Sequence, residues 1–337
     1  MIPATPRPAQ PSDWRREYRD AITRPHELLA LLGLAHLAER VPADAAGFPL
    51  RVPRAFAARM RHGDPDDPLL RQVLPLDDET RCVPGFGIDA VGDLAAREAR
   101  GLLHKYEGRA LLIATGSCAV NCRYCFRRHF PYGEETAAAN GWRDAIAHLL
   151  GNSDIHEVLL SGGDPLALST TKLAELTDAL RAAPALRRLR IHSRLPVVLP
   201  ARVDEPLLDW LAALPWPVVM VIHANHAQEL DGAVAEACAA LAGRSVRLYN
   251  QSVLLRGVND SVDTLAELSE RLFEIGVQPY YLHQLDRVAG TAHFEVAQDR
   301  AIALHDDLRV RLPGYLLPRL VREVQGAPAK LPLPGTS

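Results

Sequence analysis

The chain has 337 residues, 48% apolar and 23% charged, with a formal net charge of −3. That composition suits one large globular domain with attachments and lacks the basic excess expected if nucleic acid were the main partner. No apolar run approaches the roughly 18 residues of a membrane span, and five cysteines over this length do not make a disulfide framework.

Taken in order, Met1–Pro11 is proline-rich without the apolar core of a signal peptide, which points to a reducing cytoplasm. Residues 1–95 read as an N-terminal helical cap. Asp13–Ile22 and Pro25–Glu39 have helical periodicity, with Asp13 as N-cap and a break at Arg24-Pro25. Leu50–Met60 is expected to form a short amphipathic helix, and no catalytic signature is visible in this layer.

From about residue 109 within the 96–295 region, short apolar runs alternate with longer helical stretches. The runs are Leu111–Thr115, Glu157–Ser161, Leu189–Ser193, Val218–His223, Val246–Leu254 and Gln278–His283. Such alternation predicts parallel β/α units, and six of them make an α/β partial barrel rather than a complete eight-strand one. Residues 296–337 add one helix, Ala297–Leu312, and a Pro- and Gly-rich tail.

Directly after the first run comes Cys118-Ala-Val-Asn-Cys122-Arg-Tyr-Cys125. Three thiolates and no fourth nearby suit a [4Fe–4S] cluster with one iron open to another ligand. Zinc is the alternative, but its structural sites close with four ligands, and Cys82 and Cys238 stand alone far away. The polar residues cluster after or within later strand runs. Ser161-Gly162-Gly163-Asp164 is either a turn or a cation-holding loop. Arg194 suits a carboxylate or a salt bridge, while His223 and Gln251 are either ligands or structural polar residues. Arg127 and Arg128 follow the cysteines and either hold a carboxylate or balance the cluster's charge. Asp286 either receives an ammonium or starts a loop.

Only three of the 38 basic residues are lysine, namely Lys105, Lys172 and Lys330. In so arginine-biased a chain, a retained lysine points to chemistry that needs a deprotonated amine, with leftover surface residues as the alternative.

The cysteine spacing, with an aromatic residue before the third cysteine, resembles the radical S-adenosylmethionine (SAM) superfamily. Gly101-Leu-Leu-His-Lys-Tyr, Cys118–Tyr132, Leu160-Ser-Gly-Gly-Asp-Pro, Ile191–Arg202, Asn250–Asp260 and Pro279-Tyr-Tyr-Leu-His together resemble the lysine 2,3-aminomutase family. The likeness is nearest to the bacterial branch that makes (R)-β-lysine for elongation factor P. It implies a partial (β/α)6 radical SAM barrel with a short C-terminal extension that binds pyridoxal 5′-phosphate (PLP). Cys118, Cys122 and Cys125 would hold the cluster, and Gly162, Gly163, Asp164, Arg194, His223 and Gln251 would bind SAM. Lys330 would carry PLP as a Schiff base, with Lys105 and Arg109 on its phosphate. Arg127 would take the lysine carboxylate, and Asp286 and Glu323 its ε-ammonium.

The departures from the family pattern are that Lys105 replaces an arginine, Glu323 replaces an aspartate, Pro-Ala before Lys330 replaces a glycine-rich run, and the family's extended oligomerisation tail is missing. The expected partners are L-lysine, a reductase such as flavodoxin or ferredoxin, and, functionally, elongation factor P with its β-lysine ligase. A homo-oligomer is left open. The alternatives are a catabolic lysine or glutamate 2,3-aminomutase and, from another class, a non-catalytic zinc or cysteine-cluster binding module.

Overall fold

The structure, a computed structural model, describes residues 13–42, 47–135, 137 and 142–333. The proline-rich Met1–Pro11 stretch and residues 334–337 of the tail lie outside them.

Ten strands form one sheet in sequence order. They are β1 (Arg97–Ala99), β2 (Leu102–Tyr106), β3 (Arg109–Thr115), β4 (Glu157–Gly162), β5 (Arg188–Ser193), β6 (Val218–His223), β7 (Arg247–Val253), β8 (Gln278–His283), β9 (Arg319–Arg322) and β10 (Leu331–Pro332). Pairing is parallel from β3 to β9 and antiparallel at both edges. Each of β3 to β8 is followed by a helix: Arg143–Leu150, Thr170–Leu180, Glu205–Ala212, Gly232–Gly243, Val262–Glu274 and Gln298–Arg311. Six β/α repeats therefore build the expected partial barrel.

Local chemistry explains the alternation. Parallel strands covered on both faces need apolar runs, and β6 buries Val218, Met220, Val221 and Ile222. Four of the helices open on a capping side chain. Ser169, Asp204, Asp231 and Ser261 accept the amides of Lys172, Leu207, Val234 and Thr264, each worth about 1 kcal/mol.

The sheet exceeds the expectation at both ends. The strand pattern begins at Arg97, not near residue 109, because Gly101-Leu-Leu-His-Lys-Tyr forms the β1–β2 turn and strand β2. Gly101 has φ +69, and a Cβ there would run into the Ala137 backbone, so the turn requires glycine. The segment after the last helix contributes β9, whose Leu320 and Val321 are buried between exposed arginines. A four-residue strand is too short for periodicity to reveal.

The N-terminal layer is helical but more broken than expected. Trp14–Arg19 is capped by Asp13. The Pro25–Glu39 helix ends at Leu31, because Gly33 at φ +70 turns the chain into the short 3-10 helix Ala35–Arg40. Within Leu50–Met60 only Arg54–Ala57 is helical. Trp14, Ile22, Leu28 and Phe56 of this layer pack in the same hydrophobic cluster as Leu112, Leu160, Ile191 and Met220 of the sheet. A second cluster, with Leu282, Leu304, Leu308 and Leu320, sits under the C-terminal helix.

Candidate active site

The barrel interior opens as a cavity of about 580 Å³. All the site residues named from the sequence line it: the three cysteines, the Gly162–Asp164 loop, Arg194, His223, Gln251, Lys105, Arg109, Arg127, Asp286, Glu323 and Lys330. Cys82 is exposed and Cys238 is buried in an outer helix; neither reaches the cavity.

The cysteine loop after β3 is anchored to the N-terminal layer. Tyr18 donates its hydroxyl to the Cys118 carbonyl at 3.0 Å. Arg123, fully buried, donates through both Nε and Nη2 to the Glu79 carboxylate, and Arg128 Nη2 donates to the same group at 2.7 Å. Arg128 is thus a structural partner of Glu79. All three thiols are free. Burial pushes the Cys118 thiol well up, and the neighbouring Cys125, Asp164 and Cys122 push it further. Cys125 is pushed up to about 11 by burial and by Cys122. Three sulfurs that repel one another's negative charge form a donor set that a cationic metal centre would relieve, so they fit an iron–sulfur cluster. Among the described residues, no three His, Cys, Asp or Glu side chains converge closely enough for a single ion.

The glycine loop ends β4 and packs on the segment that leads to Cys118. Gly163 N donates to Thr115 O at 2.7 Å and Asp164 N to Ser117 O at 2.8 Å. A Cβ on Gly162, at φ +119, would stand 2.5 Å from Thr115 O, and one on Gly163 2.5 Å from Ser117 O. Both glycines are required by that approach. The Asp164 carboxylate accepts from Ser193 Oγ at 2.7 Å and from the amides of Arg194, Leu166 and Leu195. Burial nevertheless pushes its carboxyl up to about 6. Its hydrogen bonds are internal, so this loop offers a ligand chiefly backbone. His223 Nε2 is 2.9 Å from the Tyr124 hydroxyl, and burial followed by the Arg194 charge lowers its imidazole to about 3. The ring is therefore neutral.

The other side of the cavity holds alternating charges. Lys330 Nζ lies 2.6 Å from Glu323 Oε2, and Glu323 Oε1 faces Lys105 Nζ at 3.4 Å. Lys105 Nζ is 2.6 Å from Asp93 Oδ1, while Asp93 Oδ2 accepts from Arg127 Nε at 2.6 Å. Burial would raise the Glu323 carboxyl, but Lys330, Lys105 and the Tyr106 hydroxyl outweigh it and hold it below its ordinary range. For Asp93, too, the Arg127 and Lys105 cations outweigh burial. Asp286 differs: burial pushes it up to about 7 although Lys330 pulls the other way. Arg109 lies over the Tyr106 ring at 4.7 Å, and its buried Nε has no partner among the described residues. Lys172, by contrast, is on the surface and paired with Glu175.

Asp93 and His283 were not foreseen from the sequence. Asp93 precedes a 3-10 turn and belongs to no strand, so no pattern marks it. His283 ends β8, where strand-end placement would have found it; burial keeps it neutral and its Nε2 has no partner among the described residues. His192, on β5, is neutral for the same reason.

Residues 107–189 match a family model described as a 4Fe-4S single cluster domain. The chain is 47% identical to the L-lysine 2,3-aminomutase of Escherichia coli (strain K12), covering 95% of this chain and 94% of that one. It is 33% identical to the L-lysine 2,3-aminomutase of Clostridium subterminale, over 96% of this chain and 78% of that one. Among solved structures it is similar to a radical SAM methyltransferase from Sphaerobacter thermophilus, at 20% identity and a TM-score of 0.44, covering 66% of this chain and 68% of that one. On the identity and coverage of its aminomutase relatives, the chain belongs to the lysine 2,3-aminomutase family.

Proposed function

We propose that this chain is a radical SAM, PLP-dependent isomerase that moves the α-amino group of L-lysine to the β-carbon, giving (R)-β-lysine. The observation that carries the reading is one cavity lined by three free cysteines and by Lys330, Glu323 and Asp286. When bound, the cluster with SAM supplies a hydrogen-abstracting radical, and PLP supplies a π-system that carries the migrating nitrogen.

The protein's part is orientation and charge. Cys118, Cys122 and Cys125 would hold the cluster, and Gly162, Gly163, Asp164, Arg194, His223 and Gln251 would surround SAM. Lys105 and the unpartnered Nε of Arg109 suit a phosphate. Arg127 spends Nε on Asp93 and Nη1 on Ser161, and its Nη2, with no hydrogen bond among the described residues, suits a substrate carboxylate. Glu323 holds the Lys330 ammonium at 2.6 Å and is placed to take a proton from Nζ. Asp286 and Glu323 together suit a terminal ammonium, and two carboxylates would repel the side chain of glutamate.

The finer role, supplying β-lysine for elongation factor P through a separate ligase, is supported by the signature Cys-Arg-Tyr-Cys-Phe-Arg-Arg-His-Phe-Pro-Tyr. A flavodoxin- or ferredoxin-type reductase would provide the electron, in the cytoplasm. No helix among the described residues is long and apolar enough to cross a membrane.

Anaerobic incubation of the cluster- and PLP-loaded protein with SAM, dithionite and either L-lysine or L-glutamate tests the reading. β-Lysine from lysine and no product from glutamate are expected. Turnover of glutamate alone, or of neither, refutes it.

A further inference from the structure

Arg194 follows β5, and its guanidinium is divided between a cysteine and a buried polar platform. Nη1 donates to Cys122 Sγ at 2.7 Å, while Nη2 donates to Glu229 Oε2 at 2.9 Å and to Gln72 Oε1 at 2.7 Å. Arg194 is 7% exposed, and Glu229 and Gln72 are 0% exposed. Glu229 is itself fixed, since its other oxygen accepts from Gln72 Nε2, Asn225 N and His226 N. The Phe56 and Tyr124 rings flank the guanidinium at 5.5 and 5.6 Å. This arrangement leaves the cation little freedom.

We propose that Arg194 is a positioning residue that raises the reduction potential of the cluster through its contact with Cys122. The inference rests on reading Cys118, Cys122 and Cys125 as the cluster ligands. Reduction brings one electron into the cluster and neither forms nor breaks a bond. A cation and an N–H donor beside a ligand sulfur stabilise the added negative charge, and hydrogen bonds to the sulfurs are among the factors that set such potentials. In a buried, low-dielectric setting the effect is larger than in water. Glu229 anchors Arg194 but partly cancels its charge, so the two members of the pair push the potential in opposite directions. A merely structural role for the pair would not produce opposite signs.

The test is an anaerobic redox titration of reconstituted protein, followed by electron paramagnetic resonance and paired with iron analysis. Arg194→Gln should lower the midpoint potential, Arg194→Lys should restore part of the loss, and Glu229→Gln should raise it. If Arg194→Gln does not fold, the other two variants still carry opposite predictions. Unchanged potentials, or a shift of the same sign for Arg194→Gln and Glu229→Gln, overturn the proposal. So does loss of SAM binding in Arg194→Gln at an unaltered potential, which would leave Arg194 a SAM ligand only. Wild-type protein without iron would instead overturn the cluster reading, and this inference with it.

Discussion

Lys330 Nζ sits 2.6 Å from Glu323 Oε2, seven residues earlier in the chain. The same carboxylate reaches Lys105 with its second oxygen, so one glutamate ties the lysine assigned to PLP to a cation assigned to its phosphate. Lys330→Ala should retain the iron–sulfur absorbance and lose the borohydride-fixed PLP adduct. Mass spectrometry of the reduced protein reads this directly, and an adduct persisting in the variant would move the Schiff base to another residue.

Shortening the glutamate is the companion experiment. Glu323→Asp withdraws the carboxylate by one methylene from contacts at 2.6 and 3.4 Å. A charge-assisted hydrogen bond of this kind is worth roughly 1.5–3 kcal/mol, so PLP affinity or the KM for lysine should worsen by about tenfold or more. Unchanged constants would mean that Glu323 has no hold on either ligand.

Asp286 predicts a pH dependence. Its carboxyl is pushed by burial from an ordinary 3.8 up to about 7. Between those values the folded chain keeps a proton that the unfolded chain has released, so this group's contribution to stability falls as pH rises through that window. Binding has the opposite sign, because an ammonium needs the ionised carboxylate. The KM for lysine should therefore fall as pH rises through about 7, and Asp286→Asn should flatten the profile. A wild-type KM that is constant across pH 6–8 would count against Asp286 as the ammonium site.

Glu79 is the anchor of the cysteine loop. It is 5% exposed and pairs with Arg123, 0% exposed, and with Arg128. Glu79→Ala would leave two buried guanidiniums unpaired, a loss of about 3–5 kcal/mol. Denaturant unfolding measures it; a change below about 1 kcal/mol would show that the loop does not depend on this pair.

The barrel was legible in the sequence because its strands are apolar runs set apart by helices with capping residues. The runs Val218–His223 and Gln278–His283 are observed with the same bounds. The short strands were not legible: β1, β9 and β10 are two to four residues long and are held by neighbours rather than by their own pattern. The cavity residues were legible where a motif marked them or where composition did, as for Lys105 and Lys330 among so many arginines. Asp93 was not, since its position follows from ion pairing with Lys105 and Arg127, which only the folded chain brings together. The sequence suggested a ligand role for Arg194 and gave no sign of its contact with Cys122.

The most direct test of the two-cofactor account is an anaerobic ultraviolet–visible spectrum of protein reconstituted with iron, sulfide and PLP, before and after borohydride, followed by peptide mapping. The account predicts a broad iron–sulfur band near ~400 nm and a reduced PLP adduct on the peptide containing Lys330. A colourless protein that binds zinc, with no adduct at Lys330, would contradict it.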